Sequence, residues 1–208
     1  PLDDVAAAIA AGEVVAVPTD TVYGLVCDPS NSAAVERVYA IKQRPAGLEL
    51  TLLAAAIADV ESDVTLDATA HALAARFWPG PLSIVAPLRS RRLAIPRSGD
   101  TLSVRVPGHP LLLELLQRTG PLASTSANRH GEPPAADASA VVTALGASVA
   151  AVLDGGSAGG LASTIIDCSR TPPRVLRKGP IPEAELRALA APDEASPRIQ
   201  TTTRNDAG

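Results

Sequence analysis

The sequence predicts a single α/β domain, and two observations lead to it. Segments with apolar residues at helical spacing alternate along the chain with short runs rich in Val, Ile and Leu, the pattern of helices packed on a sheet. Of the 208 residues, 46% are hydrophobic, ample for one substantial core. A third observation points toward a site: polar clusters close or follow several strand-like runs, the position where open α/β sheets place ligands.

Taken in order, Leu2, Val5, Ala6 and Ile9 recur at helical spacing behind Asp3 and Asp4, and Gly12 stands where that helix stops. A strand over 13–17 follows. Asn31 or Ser32 caps a second helix running to Lys42, with Val35, Val38 and Tyr39 on its buried face. Residues 50–55 read as a buried strand. Asp67 caps a helix over 68–77, and Trp78-Pro79-Gly80-Pro81 breaks it before a strand over 82–88. Trp78 is read as a packing anchor. After a short strand over 103–106, Pro110 opens a helix carrying Leu112, Leu113, Leu115 and Leu116, closed by Gly120. His109 is read as a helix-entry residue rather than a base.

A helix over 136–145 and a strand over 150–153 come next. The Gly-rich stretch 154–160 is expected to be a mobile loop able to close over a ligand beside Ser163. It is not a P-loop, since no Gly-Lys-Ser/Thr follows it. A last helix spans 182–190. Residues 1–190 are thus expected to form the domain, and 191–208, rich in Ser, Thr, Pro and charge, a disordered tail.

A net charge of -4 argues against a protein whose main task is coating nucleic acid. Arg89, Arg91 and Arg92 form the densest basic run, read as solvated surface or as a weak RNA contact. With 2% aromatic residues, stacking platforms for bases are scarce. Cys27 and Cys168 have no paired spacing, and His71, His109 and His130 form no ligand cluster with them, so neither a metal site nor a disulfide is expected. Both cysteines read as small buried hydrophobes. The chain has no apolar stretch of the roughly 20 residues that span a bilayer, and a cytoplasmic location is expected.

The residues that carry chemistry stand in separated motifs. Pro18-Thr19-Asp20-Thr21-Val22-Tyr23-Gly24-Leu25 runs directly off the apolar Val14-Val15-Ala16-Val17. Lys42 and Arg44, one residue apart at a helix end, suit one anion as a point charge and a planar donor fork, or else are solvated cations favoured by the helix dipole. Ser126 and Asn128 suit phosphate, ribose or base edges, or else serve an ordinary turn.

Together with Trp78-Pro79-Gly80-Pro81-Leu82, the run from Ser103 to Pro110, Ser163-Thr164-Ile165-Ile166-Asp167 and the run from Arg174 to Gly179, these motifs resemble the YrdC family over about residues 2 to 190. That resemblance implies a twisted, open, mixed sheet with flanking helices around a concave cavity. It implies synthesis of threonylcarbamoyl-AMP and pyrophosphate from L-threonine, bicarbonate or CO2, and ATP with Mg2+. The product would pass to a tRNA-modifying transferase acting on adenosine. Carried over by position, Lys42, Arg44, Ser126 and Asn128 surround the nucleotide phosphates. Thr21, Arg105 and Ser163 hold threonine, and Thr101 and Arg177 contact the nucleotide. The chain departs from the family where Leu48 and Leu53 stand in place of frequent Asn and His, and where Pro134 replaces a hydroxyl. Two alternatives stand beside this reading: a noncatalytic RNA-binding module, and a paralogue acting on another carbamoyl acceptor.

Overall fold

Helix α1 (Leu2–Ala10) and helix α4 (Pro110–Thr119) lie on one face of the sheet, and α2 (Ser32–Lys42), α3 (Ala68–Phe77), α5 (Ala138–Leu145) and α6 (Glu183–Ala190) on the other. The computed structural model describes residues 2–43, 50–96 and 99–190. Their strands are β1 (Val15–Val17), β2 (Gly24–Cys27), β3 (Thr51–Leu53), β4 (Leu82–Pro87), β5 (Thr101–Arg105), β6 (Leu122–Ser126), β7 (Ala151–Val152), β8 (Thr164–Asp167) and β9 (Arg174–Arg177). Among the described residues they form one sheet in the order β7-β1-β2-β6-β3-β5-β4-β8-β9. The pairs β1/β7, β3/β5 and β4/β8 are parallel and the rest antiparallel, so the sheet is mixed and open.

The helix boundaries follow from their caps. Asn31, Asp67 and Asp137 each accept a hydrogen bond from the backbone N–H three residues on, at 3.1, 2.7 and 2.7 Å, satisfying a donor that the first turn leaves unpaired. The cap of α2 is therefore Asn31 rather than Ser32. Gly120, at φ 78, ends α4 in a backbone region that favours glycine. Gln43 adopts the left-handed conformation at φ 51 and stops α2 with Lys42 as its last residue.

Side chains alternate across a strand, and here the alternation sorts the core. Leu25, Leu52, Leu82, Ile84, Leu102, Val104 and Ala123 face α2, α3, α5 and α6, while Val15, Val17, Val26, Leu53 and Leu122 face α1 and α4. Each fully buried Leu contributes about 1.5–3 kcal/mol. Helices α1 and α4 cover only part of their face. Beyond them the same face carries Thr51, Ser83, Ser103, Arg105, Ser124 and Ser126, and a cavity opens there.

Several strands are shorter than the sequence predicts: 15–17 against 13–17, 51–53 against 50–55, and 151–152 against 150–153. The flanking residues still bond singly to neighbouring strands, Ala150 N–H to Val14, Leu153 N–H to Ala16 and Ala54 N–H to Arg105, but these bonds do not lengthen the paired segments. Strands β2, β6, β8 and β9 have no range in the sequence reading. Strand β2 begins with Gly24, a poor strand former, inside what reads as a turn. Strand β9 is a polar, exposed edge strand with no hydrophobic alternation to reveal it.

Candidate nucleotide and amino-acid cleft

The turn after β1, the end of α2, the middle of the sheet and the segment before β8 converge on a cavity of about 340 Å3. Of the residues singled out in the sequence, Thr21, Lys42, Arg105, Ser126, Asn128, Ser163 and Arg177 all line it. Thr101 does not. It opens β5 opposite Pro87, four residues before Arg105, about 13 Å away at the usual strand rise. Arg44 and Leu48 lie outside the described residues, whereas Leu53 lines the cavity.

One correction concerns where the cavity sits. Polar groups at strand ends predict a ligand at the edge of the sheet, and Arg105, Ser126 and Arg177 do close strands. Thr51, Ser83 and Ser124 instead lie within the ladder, Lys42 ends a helix and Ser163 precedes β8. A mixed sheet has no common carboxyl edge, so its ligand space is the uncovered face.

Two hydrogen-bonded clusters share this cavity. In the first, buried Lys42 donates through Nζ to the carbonyl oxygens of Ser126 at 2.6 Å and Asn128 at 2.8 Å, and to Asn128 Oδ1 at 2.9 Å. An ammonium has three hydrogens, so these acceptors use all of them. Ser126 Oγ donates to the same Oδ1 at 2.6 Å, and the Asn128 amide donates to the carbonyls of Arg129 and Glu132 at 2.9 and 2.6 Å. Lys42 thus ties the end of α2 to the end of β6, and the Asn128 Oδ1 it holds in turn accepts from the Ser126 hydroxyl.

The second cluster is built on two guanidinium groups. Arg105, 5% exposed, donates from Nε to the Gly80 carbonyl at 2.9 Å, from Nη1 to Thr21 Oγ1 at 3.1 Å, and from Nη2 to Asp20 Oδ1 at 2.6 Å. Burial pushes the Arg105 guanidinium below its ordinary value and the positive charge of Arg177 adds to that, while the Asp20 carboxylate opposes it. Arg177, also lowered by burial, grips Ser163 twice, from Nε to the carbonyl and from Nη2 to Oγ, both at 2.9 Å. Arginine stays protonated through such shifts, so the cavity holds two fixed guanidinium cations beside Lys42, with no carboxylate among the described lining residues. It is an anion site.

Sequence reasoning missed several supporting residues. Asp20 stands inside the first motif and was given no role. Ser83 falls one residue beyond the Trp78–Leu82 motif, and only its polar side chain between Leu82 and Ile84 signals it. The Tyr23 hydroxyl, on a fully buried side chain, donates to the Gly156 carbonyl at 2.8 Å and accepts the Gly155 N–H at 3.1 Å. The loop over 154–160 is thereby suspended from the turn that carries Thr21, to whose carbonyl Gly160 also donates, at 2.7 Å.

His109 is the N-cap residue of α4 and lies outside the cleft lining. Trp78 packs against the core and donates from Nε1 to the Leu82 carbonyl at 2.7 Å. Arg91 pairs with Asp100, and Arg92 holds buried Asp63 through two bonds of 2.7 Å, so most of the basic run is locally neutralised. Among the described residues there is no group of three His, Cys, Asp or Glu side chains placed to hold a metal ion, and no helix is long and apolar enough to cross a membrane. Cys27 and Cys168 are free and buried, and burial pushes both thiols up to about 12.

An α/β fold whose uncovered sheet face carries an arginine pair, a clamped lysine and a row of hydroxyls defines a protein that binds anionic small molecules. The chain belongs to the Sua5/YciO/YrdC family, whose model, described as telomere recombination, matches residues 7–179. It is 37% identical to the threonylcarbamoyl-AMP synthase of Bacillus subtilis strain 168 over 193 residues, covering 90% of this chain and 56% of that protein. Over 169 residues it is 43% identical to the threonylcarbamoyl-AMP synthase of Chromohalobacter salexigens, covering 79% of this chain and 90% of that one. Among solved structures, Pyrococcus abyssi Sua5 complexed with L-threonine superimposes with a TM-score of 0.87 at 35% identity, over 90% of this chain and 56% of that one. The chain therefore spans little more than half of the Bacillus and Pyrococcus proteins and most of the Chromohalobacter one.

Proposed function

We propose that this chain is a threonylcarbamoyl-AMP synthase. The observation that carries the proposal is the sharing of one cavity by two different anion clusters. The Arg105–Thr21–Ser163 cluster suits an amino-acid carboxylate, and the positive charge of Lys42 held beside Ser126 and Asn128 suits a polyphosphate. The names of the Bacillus and Chromohalobacter relatives, and the L-threonine held by the Pyrococcus homologue, support the same assignment.

In the reaction, the threonine amine adds to CO2 derived from bicarbonate, giving an N-carboxylate and releasing a proton. A carboxylate oxygen then bonds to the α-phosphorus of ATP, and the bond to the leaving pyrophosphate breaks. Such a transfer needs positioning and charge stabilisation more than a dedicated acid or base. Arg105, Thr21 and Ser163 hold threonine. Lys42, Arg44, Ser126 and Asn128 surround the phosphates, with Arg177 toward the nucleotide, while Thr101, outside the cavity lining, is given no contact. The described lining residues offer hydroxyl and carbonyl oxygens rather than carboxylates, which fits a magnesium ion carried in by the phosphates, and Ser126 would help to hold it. When bound, that ion would neutralise charge on the phosphate oxygens.

On this reading residues 1–190 are the catalytic domain, the protein works in the cytoplasm, and the adenylate passes to a transferase that modifies adenosine in tRNA. The test is pyrophosphate release from ATP and Mg2+ with threonine and bicarbonate omitted in turn. Release that requires both establishes the synthase. Release from folded protein that ignores threonine rules it out.

A further inference from the structure

Ser83 lies in β4 and Ser163 immediately precedes its neighbour β8 at the floor of the cleft, and their hydroxyl oxygens are 3.0 Å apart. Both residues are buried, at 2% and 5% exposure, yet both line the cavity. Strand β4 runs parallel to β8 with Ser83 opposite Ile165, and the Thr164 N–H donates to the Pro81 carbonyl at 2.9 Å, which holds the residue before β8 alongside β4.

Counting protons gives the pair a direction. Arg177 can only donate, so its 2.9 Å bond from Nη2 occupies one lone pair of Ser163 Oγ. The two serines together own two hydroxyl protons. One lies in the bond between them, whichever residue donates it. The other has no protein acceptor among the described residues and is left to face the cavity. The pair therefore presents a single O–H donor beside the guanidinium groups of Arg105 and Arg177, with Ser163 Oγ held in place from both sides.

We infer that Ser83 is a positioning residue for substrate, acting with Ser163 as one unit that delivers a hydroxyl proton to a carboxylate oxygen of threonine. This rests on the threonine role proposed above for Ser163. Without Ser83 the Ser163 hydroxyl keeps its bond from Arg177 but loses its second constraint. Its proton is then free to rotate away from the substrate.

The experiment compares wild type, Ser83→Ala, Ser83→Thr, Ser163→Ala and the double Ala variant. It measures pyrophosphate release over ranges of threonine and ATP, and L-threonine binding by calorimetry. Circular dichroism confirms that each variant is folded, and Ser83→Thr restores the hydroxyl in a strand that suits a β-branched residue. Loss of one oriented hydrogen bond corresponds to about a tenfold rise in KM for threonine in Ser83→Ala, with KM for ATP changing by less than about twofold. Ser83→Thr stays close to wild type, and the double variant is no worse than Ser163→Ala because the two serines act as one. An unchanged threonine KM in Ser83→Ala, equal changes for threonine and ATP, or losses that multiply in the double variant would each overturn the inference. A wild-type protein that neither binds threonine nor needs it for release overturns the synthase reading as well, and is distinguished because the failure appears before any substitution.

Discussion

Asp20 Oδ1 accepts from Arg105 Nη2 at 2.6 Å and from the backbone N–H of Gly108 at 2.9 Å, so one carboxylate oxygen ties the turn after β1 to the segment leading from β5 into α4. Arg105 is almost wholly enclosed, and a buried guanidinium without a counter-charge is costly. Replacing Asp20 with Asn keeps an acceptor and removes the charge. Destabilisation of about 1–3 kcal/mol is expected, together with a raised threonine KM. Urea unfolding and threonine titration measure the two effects, and an unaltered midpoint would show that Arg105 does not depend on Asp20.

Lys42 holds three acceptors on the Ser126–Asn128 segment, and its removal takes the charged donor from all three. Lys42→Ala is expected to lower kcat/KM for ATP by about 10²–10³-fold, the scale of losing a preorganised electrostatic group. Threonine affinity should change far less. Single-turnover pyrophosphate release and threonine calorimetry on the same preparation decide it, and wild-type turnover would remove Lys42 from the phosphate site.

A β-carbon on Gly155 would stand 2.5 Å from Pro18 Cγ and 2.9 Å from His109 Cε1. Neither ring can yield easily between its neighbours. Gly155→Ala is expected to cost about 1–3 kcal/mol, as overpacked positions do, and to weaken the bonds from Tyr23 that suspend the 154–160 loop. Denaturant midpoints together with hydrogen exchange at Gly156 and Gly160 test both parts. Wild-type values in both would show that the loop accommodates the methyl group.

The buried thiols give a pH dependence with a definite sign. Cys27 and Cys168 are held near 12 by burial, above their ordinary 9, so between those values the unfolded chain releases protons that the folded chain retains. The folded state then binds more protons, and stability falls as pH rises through that window. Below pH 9 the thiols contribute no slope. A Cys27→Ala, Cys168→Ala double variant should show a shallower alkaline decline of melting temperature, and in wild type neither thiol should react with iodoacetamide at pH 8 until the chain unfolds. Rapid labelling of the folded protein would contradict this.

Local chemistry was legible in the sequence. Asp67 and Gly120 mark helix ends because capping is decided within one turn, and the spacing of Leu112, Leu115 and Leu116 reports a helix face directly. Lys42, Ser126 and Asn128 stood out by residue type and position, whereas Thr21, Arg105, Ser163 and Arg177 were named through the resemblance to the YrdC family. Which of their hydrogen-bonding atoms remain available could not be read that way. The engagement of Lys42 by three acceptors, the counter-charge of Asp20 on Arg105 and the pairing of Ser83 with Ser163 each join residues 80 or more positions apart. Strand order and register decide such contacts. The placement of the cleft on the sheet face has the same origin: α1 and α4 cover only part of that face, and how far a helix covers a sheet depends on packing between distant segments rather than on any local run of residues.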